Sequence, residues 1–303
     1  MAPAPHWVVG PGAIGRLLAL RLAHAGHDVV LIGRRPLPDR QTLITPEGDA
    51  LCLRLPTRIA PPDEAPGVVH LTTKAYATEA AWAGLAARLD ATTPLVLWQN
   101  GFTAQPRLTD RHPGPVLCAT TTEGAYVEDE RRVVHAGHGE TALGALDGRH
   151  AELAASLAVT LGAAGLPTAA VPDIRRRLWQ KLAINAAINP LVARHRVRNG
   201  ELRAPRYRDE VEAVIAEVAA VMAAEGVAPP QGDGLAGWRA LVWKVVTATA
   251  GNRASMLQDV LADRPTEHEA ILGPLLEAAA RHGLATPTLA TLARHLAETS
   301  PGC

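Results

Sequence analysis

The chain has 303 residues, of which 48% are hydrophobic and 20% charged, and its 30 lysines and arginines are balanced by 30 acidic residues. This length is typical of two domains, and the balanced charge argues against a nucleic-acid or anionic-membrane surface. Glycine and proline interrupt the apolar stretch 153–171, and glutamates interrupt the stretch 211–224, so neither is predicted to span a membrane.

The predicted elements begin with a strand at 7–9, followed by Gly10-Pro11-Gly12-Ala13-Ile14-Gly15, a helix over 16–25 and a strand over 28–32. In this context G-x-G-x-x-G predicts a dinucleotide site, because its glycines permit a tight turn, close approach of a pyrophosphate and close packing of helix on strand. Amides at the helix start meet the phosphate charge. The predicted cofactor-binding residues here are Gly10, Gly12, Ala13, Ile14 and Gly15.

The end of the second strand discriminates between cofactors. It reads Gly33-Arg34-Arg35 and lacks the carboxylate that would bind a ribose 2′-hydroxyl. Arginine suits a 2′-phosphate, so Arg34 favours NADP (as NADPH) over NAD. The alternative is that the arginines are solvated surface residues, an interpretation with more weight for Arg35.

Further strands are predicted over 68–73, 94–98 and 116–120. Lys74, Asn100 and Glu123 lie at or just past the ends of these strands, where ligands gather in open α/β sheets. Each of them alone is more often a turn or surface residue, but together they indicate a ligand site.

A hairpin is predicted over 131–144, which would end the parallel sheet with antiparallel strands. Its residues His135, His138 and Glu140 have a poor spacing for zinc without further clustered ligands, so no metal site is predicted.

The second half is predicted to be helical, with helices over 208–225, 238–250, 267–282 and 288–298 in addition to one that carries Lys181. The expected fold is therefore an N-terminal Rossmann-type doubly wound α/β domain at 1–170, followed by an all-α domain at 171–303.

Lys181, Asn185 and Asn189 form a polar stripe on an otherwise apolar helix. Their spacing of four residues places them on one face, and a helix apolar nearly all round is buried. A buried ammonium needs partners and is a candidate for proton chemistry. The alternative, with equal weight from the stripe alone, is a structural role in helix packing.

Two more residues in the second half are candidates for ligand contacts. Ser255 could bind a substrate carboxylate or could cap a helix N-terminus. Glu267 could accept a hydrogen bond or hold a lysine, or it could be a first-turn carboxylate favoured by the helix dipole.

These segments together resemble the 2-dehydropantoate 2-reductase (ketopantoate reductase) family from Val8 to about Pro287. The glycine motif is shared by many families, whereas the Lys-Asn stripe followed by Ser-Met-Leu-Gln-Asp and Thr-Glu is far more specific. The matching segments are Gly10–Gly15, Arg34, 73–75, 99–101, 120–122, 135–137, 179–190, 199–202, 255–259 and 266–267.

The resemblance implies NADPH-dependent reduction of 2-dehydropantoate to (R)-pantoate, a step toward pantothenate and coenzyme A. It implies that Lys181 is the general acid and that Glu267 binds the substrate hydroxyl and steadies the lysine. The implied substrate-binding residues are Asn185, Asn189, Ser255 and Asn100, and the implied cofactor-binding residues outside the glycine motif are Arg34, Lys74 and Asn100. It assigns no role to Glu123.

Two alternatives remain at this point. One is an NADPH-dependent reductase of a different 2-oxo acid, and the other is a non-catalytic NADP-sensing protein, which has no need for Lys181, Asn185, Ser255 and Glu267 together. The expected partner is a small 2-oxo acid, with neither nucleic acid nor membrane, and the chain is expected to be a monomer or homodimer.

The expected location is cytoplasmic. The chain has three cysteines, Cys52, Cys118 and Cys303, which are far apart in the sequence, and this number and spacing predict free thiols. No charged segment precedes the first apolar run, so no signal peptide is predicted.

Overall fold

The computed structural model describes residues 4–299, so Cys303 lies outside the described residues. The strands are β1 (His6–Val9), β2 (Val29–Ile32), β3 (Arg40–Ile44), β4 (Ala50–Arg54), β5 (Thr57–Arg58), β6 (Val68–Leu71), β7 (Leu95–Leu97), β8 (Val116–Thr121), β9 (Gly124–Val127), β10 (Arg132–Gly137), β11 (Thr141–Gly144) and β12 (Thr168–Ala170). The α-helices are α1 (Ala13–His24), α2 (Ala75–Ala83), α3 (Ala104–Arg111), α4 (Ala151–Ala163), α5 (Ile174–His195), α6 (Pro205–Ala224), α7 (Gly234–Ala248), α8 (Ser255–Leu261), α9 (His268–Arg281) and α10 (Pro287–Thr299). Short 3₁₀ helices occur at Ala86–Arg88 and Asn199–Arg203.

The main sheet has the strand order β12-β11-β8-β7-β6-β1-β2-β5. The six strands from β8 to β5 are parallel to their neighbours, and β11 joins antiparallel to β8. Every residue of β1, β6 and β7 is buried, as in parallel strands that are covered on both faces. The predicted Rossmann-type α/β fold is confirmed, and the carboxyl ends of the parallel strands meet at one edge of the sheet.

The predicted hairpin over 131–144 is wrong. β10 and β11 belong to different sheets: β10 pairs with β3 and β9 in a second, four-stranded sheet, whereas β11 pairs with β8 and β12 in the main sheet. The chain crosses between the sheets at Gly139, where a Cβ would overlap the backbone of Thr122 and Glu123. Strand pairing here depends on partners distant in the sequence, which a local turn signal does not identify.

Arg16 connects helix α1 to the second sheet. Its side chain is buried, and its guanidinium donates to Gln41 Oε1 at 2.8 Å and to the Asp129 carbonyl oxygen at 2.9 Å. Burial lowers the pKa of Arg16 from its usual value, and the Asp129 carboxylate opposes that change. Helix α1 is therefore held from both sides, by the main sheet and by this polar contact.

The contacts divide the chain into two compact units. One contains Met1–Gln99 and Ala104–Arg175, and the other contains Asn100–Thr103 and Arg176–Cys303. The division after residue 175 lies five residues beyond the boundary predicted from composition. The four-residue segment Asn100–Thr103 groups with the helical unit, although it begins only three residues after the end of strand β7.

The second unit is helical, as predicted, and its helices surround one apolar core that contains Leu182, Ile188, Trp238 and Leu272. Helix α5 continues for five residues past Pro190, although proline removes one backbone hydrogen bond, because the surrounding residues 186–193 are buried in this core. Among residues 4–299, no helix is both long enough and apolar enough to cross a membrane.

Candidate active site

The loop between β1 and α1 is tightly packed at two of its glycines. Gly10 has a φ of +105°, and a Cβ there would lie 2.7 Å from the backbone nitrogen of Thr73. A Cβ on Gly15 would overlap the Gly10 carbonyl oxygen. The Thr72 hydroxyl donates to the carbonyl oxygens of Val9 at 2.9 Å and Gly10 at 2.8 Å. The loop therefore lies directly against the end of β6, and only glycine fits at these two positions.

Gly12, the middle glycine of the loop, faces open space. Gly12 is the N-cap residue of α1, and apart from its two chain neighbours no residue of the described range 4–299 has an atom within 4 Å of a Cβ built there. The helix start has no side-chain cap and no acidic residue in its first turn, which includes Ala13 and Ile14. Free amides and a positive dipole end, with space beside Gly12, are what a pyrophosphate requires. The loop therefore fits a dinucleotide.

Arg34 follows β2 on the same edge of the sheet. Its side chain is exposed and forms no hydrogen bond or ion pair with any residue in the described range 4–299. Arg35, by contrast, is ion-paired with Glu130 Oε1 at 2.5 Å. Arg34 is thus the guanidinium that is available to an anionic group at this position, as the sequence predicts for a 2′-phosphate.

Lys74 lies at the carboxyl end of β6, beside the glycine loop. It is half-buried and occupies the N-cap position of α2, and its carbonyl oxygen accepts hydrogen bonds from Ala77 N at 2.9 Å and Thr78 Oγ1 at 3.0 Å. The preceding residue, Thr73, is the one that contacts Gly10. The first unit therefore holds Lys74, Arg34 and the glycine loop at one sheet edge.

In the second unit, helix α5 carries the polar stripe. Asn189 is buried, Lys181 and Asn185 are half-buried, and the intervening Leu182 and Ala186 are fully buried. The side-chain amides of Asn185 and Asn189 form no hydrogen bond with another residue of the described chain. Amides in a largely apolar setting normally have partners, so these groups are available to a polar ligand.

Glu267 interacts electrostatically with Lys181. Burial lowers the pKa of Lys181 from its usual 10.5 to about 8, and the Glu267 carboxylate opposes that decrease. Glu267 is buried and occupies the N-cap position of α9, but its side chain does not cap the helix. The stripe lysine thus remains protonated at neutral pH but gives up its proton more readily than a solvated lysine, as a general acid should.

Ser255 is the first residue of α8, and the interpretation of Ser255 as the N-cap is wrong. The N-cap position belongs to Ala254, and the exposed Ser255 hydroxyl forms no hydrogen bond within residues 4–299. The next two residues, Met256 and Leu257, are buried in the same core as Leu182. Shared packing holds α8 to α5 and leaves the hydroxyl free for a ligand.

The turn from α8 to Glu267 is held by contacts that were not predicted. Arg264 Nη2 pairs with the buried Asp259 carboxylate at 3.1 Å, and Arg264 N donates to the Asp259 carbonyl oxygen at 2.9 Å. The Thr266 hydroxyl is 2.9 Å from His268 Nδ1. Asp259 belongs to the Ser-Met-Leu-Gln-Asp segment that the sequence identified, but its pairing with Arg264 was not predicted.

The segment that carries Asn100 is packed against the start of α9. Gly101 has a φ of +88°, and a Cβ there would overlap the Ala270 carbonyl oxygen, which also accepts a hydrogen bond from Phe102 N at 3.2 Å. The rings of Phe102 and Trp179 are 5.4 Å apart. The half-buried Asn100 is therefore associated with the helix that follows Glu267, and Gly101 positions this segment, a role that the sequence did not predict.

The histidines of the β10–β11 segment contact separate carboxylates. His135 Nε2 is 2.6 Å from Glu123 Oε2, and His138 Nε2 is 2.6 Å from Glu47 Oε1. Between residues 4 and 299, no group of three or more His, Cys, Asp or Glu side chains could hold a metal ion.

Comparisons with known proteins match both halves of the chain. The family model described as ketopantoate reductase PanE/ApbA matches residues 7–148, and the model of the C-terminal part of that family matches residues 173–300. A 2-dehydropantoate 2-reductase from Vibrio cholerae is 38% identical over 292 residues, which is 94% of each chain. The chain belongs to the ketopantoate reductase family.

Other similar proteins include enzymes with different names. A 2-dehydropantoate 2-reductase from Salmonella typhimurium is 36% identical over 92% of this chain and 90% of its own. The solved structure of a D-mandelate dehydrogenase with NADH and anilino(oxo)acetate is 22% identical, has a TM-score of 0.86 and covers 98% of each chain. The fold of a ketopantoate reductase is thus shared with an enzyme of another name, so the choice of substrate depends on particular side chains.

Proposed function

We propose that this protein reduces 2-dehydropantoate to (R)-pantoate with NADPH, a step of pantothenate and coenzyme A biosynthesis. The observation that carries this is the Lys181–Glu267 pair, in which Lys181 shares helix α5 with two side-chain amides, Asn185 and Asn189, that have no partner in the described chain. Such a set suits a small substrate with a carbonyl, a hydroxyl and a carboxylate. The family membership supports the same substrate.

Lys181 is the proposed general acid. NADPH, when bound, supplies the hydride. The Lys181 ammonium donates its proton to the substrate carbonyl oxygen, and its charge stabilises the negative charge that develops there. Glu267 accepts a hydrogen bond from the substrate hydroxyl and keeps Lys181 charged. The substrate is oriented by Asn185, Asn189, Ser255 and Asn100.

Apart from Asn100, the residues proposed to hold the cofactor belong to the first unit. The glycine loop, with the amides of Ala13 and Ile14, binds the pyrophosphate, and Arg34 binds the 2′-phosphate. Lys74 and Asn100 contact the ribose and nicotinamide end.

The pH dependence of the reduction reports on Lys181. We expect kcat/KM to be constant below about pH 7 and to fall as the pH rises through about 8, because the acid must be protonated to react. Glu267→Gln removes the interaction that opposes the lowered pKa of Lys181, so the falling limb should move to lower pH. Steady-state rates between pH 6 and 10 measure this. A limb that stays in place in the variant contradicts the proposed coupling.

Cofactor preference reports on Arg34. Arg34→Ala should raise KM for NADPH by about tenfold or more, the size of a lost charge-assisted contact, and leave KM for NADH nearly unchanged. Arg35→Ala is the matched control, since Arg35 is ion-paired with Glu130, and should have a smaller effect. If Arg34→Ala raised KM for NADPH and KM for NADH by the same factor, Arg34 would not be the residue that binds the 2′-phosphate.

The substrate is tested by a panel of 2-oxo acids with NADPH and NADH. We expect 2-dehydropantoate with NADPH to have the highest kcat/KM. No turnover of 2-dehydropantoate, but rapid turnover of another 2-oxo acid, would overturn the substrate and leave the role of Lys181 standing. We also propose a cytoplasmic location and a monomeric or homodimeric state. Sedimentation of the purified protein measures the oligomeric state.

A further inference from the structure

A buried polar chain in the first unit is not used by the proposed reaction. His135 is fully buried; its Nδ1 is 3.0 Å from Arg21 Nη2 and its Nε2 is 2.6 Å from Glu123 Oε2. The backbone nitrogen of Gly139 also donates to Glu123 Oε2, at 2.9 Å. The Glu123 side chain is only 2% exposed. These hydrogen bonds connect α1, β10 and the turn after β8.

The hydrogen bonds determine which proton each group carries. Arginine only donates, so Nδ1 of His135 must accept from Arg21, and a neutral His135 then donates from Nε2 to Glu123 Oε2. The result is a cation, a neutral ring and a carboxylate in sequence, with no net charge. Glu123 is therefore held as a carboxylate by two donors, and both of them bind the same oxygen.

The other oxygen of Glu123 lacks a donor. Oε1 is buried, and no group within residues 4–299 donates to it. Glu123 lines a small cavity with Ile14, Trp98, Thr121 and Thr141, whose remaining wall is three leucine side chains, and the cavity has room for a group about the size of one water molecule. The two threonine hydroxyls hydrogen-bond each other at 2.9 Å. A buried carboxylate oxygen without a donor is costly.

The cavity is next to the proposed cofactor site. Ile14 belongs to the glycine motif, Trp98 directly follows β7, and Glu123 follows β8, at the carboxyl ends of the strands. In this fold class, dinucleotides bind outside the carboxyl ends of the parallel strands. A carboxamide N–H₂ group is close to water in size and is a donor, as the orphaned oxygen requires.

We propose that Glu123 Oε1 accepts a hydrogen bond from the carboxamide N–H₂ of the nicotinamide, with Arg21 and His135 as the residues that position it. The inference rests on the proposed NADPH-dependent function. Because Glu123 is charged, it also favours the positively charged oxidised ring over the neutral reduced ring. It therefore contributes to the relative affinities for NADP⁺ and NADPH as well as to affinity itself.

The test is a binding measurement with Glu123→Gln, which removes the charge and retains the shape. In this variant the amide oxygen of the glutamine still accepts the hydrogen bond from His135, so its N–H₂ group faces the N–H₂ of the carboxamide. Two donors then face each other and no hydrogen bond forms between them. We expect Kd for NADPH to rise about tenfold, the size of a lost hydrogen bond to a charged group, and Kd for NADP⁺ to rise by a larger factor. Kd for 2′-phospho-ADP-ribose, which lacks nicotinamide, should not change.

Glu140→Gln is the matched control, because Glu140 is exposed and lies in the segment that follows His138. It should leave all three constants unchanged. Equal weakening of all three ligands by Glu123→Gln would show a general loss of structure and overturn the proposal. Unchanged NADPH binding would also overturn it, and would indicate that only water donates to Oε1.

A second arm uses the wild-type protein and so does not depend on folding of the variant. The 3-acetylpyridine analogue of NADP⁺ replaces the N–H₂ with a methyl group, and wild type should bind it about tenfold more weakly than NADP⁺. Equal affinities would contradict the proposal. Failure of wild type to bind NADPH at all would instead refute the proposed function, so the two failures are distinguishable.

Discussion

Replacing Lys181 with alanine is expected to lower kcat for 2-dehydropantoate reduction about a thousandfold, while NADPH binding stays within twofold of wild type. General-acid catalysis contributes about 10²–10⁴-fold, and the same change also removes the charge that stabilises the developing alkoxide. Burial and Glu267 leave the pKa of Lys181 at about 8, which suits the proposed role of general acid. Single-turnover oxidation of NADPH, followed by absorbance, measures the chemical step directly.

Two further variants separate charge from proton transfer. Lys181→Arg retains a positive charge but donates a proton poorly, because guanidinium is not deprotonated in proteins. It should restore substrate binding more than kcat. Lys244→Ala is the matched control, since Lys244 is an exposed lysine on α7 in the same unit, and should have the activity of wild type. A Lys181→Ala enzyme within tenfold of wild type would mean that another group supplies the proton.

Gly101→Ala is expected to destabilise the protein by about 3 kcal/mol and to lower activity in the fraction that remains folded. The added Cβ would overlap the Ala270 carbonyl oxygen, and the φ of +88° is unfavourable for alanine. Strain of that kind costs about 1–2 kcal/mol and overpacking a further 1–3. The substitution lies between Asn100 and a helix whose N-cap is Glu267, so relief of the clash should displace proposed substrate contacts.

Denaturant unfolding gives the change in stability, and KM for 2-dehydropantoate gives the change at the site. Gly273→Ala is the matched control, because Gly273 lies in α9 and, apart from the adjacent helix backbone, no atom of residues 4–299 is within 4 Å of a Cβ built there. It should be neutral or slightly stabilising, since alanine is the better helix former. If the two variants unfold at the same denaturant concentration, the contact of Gly101 with α9 does not hold this segment.

Features that depend on neighbouring residues could be read from the sequence alone. The glycine motif, with a strand before it and a helix after it, specifies its own backbone, because only glycine tolerates the positive φ at Gly10 and the close approach at Gly15. The stripe of Lys181, Asn185 and Asn189 follows from helix periodicity. The Rossmann-type fold and the helical second half were predicted for the same reason, since hydrophobic period is a local property.

The tertiary structure alone decided which distant segments meet. It placed β10 and β11 in different sheets, grouped Asn100 with the helical unit, and paired the buried His135 with Glu123. It also showed that Ser255 is not a helix cap. Sequence pattern records which residues prefer to be buried, but strand partners and buried polar contacts are set by the packing of segments far apart in the chain, and the lowered pKa of Lys181 is a consequence of that packing.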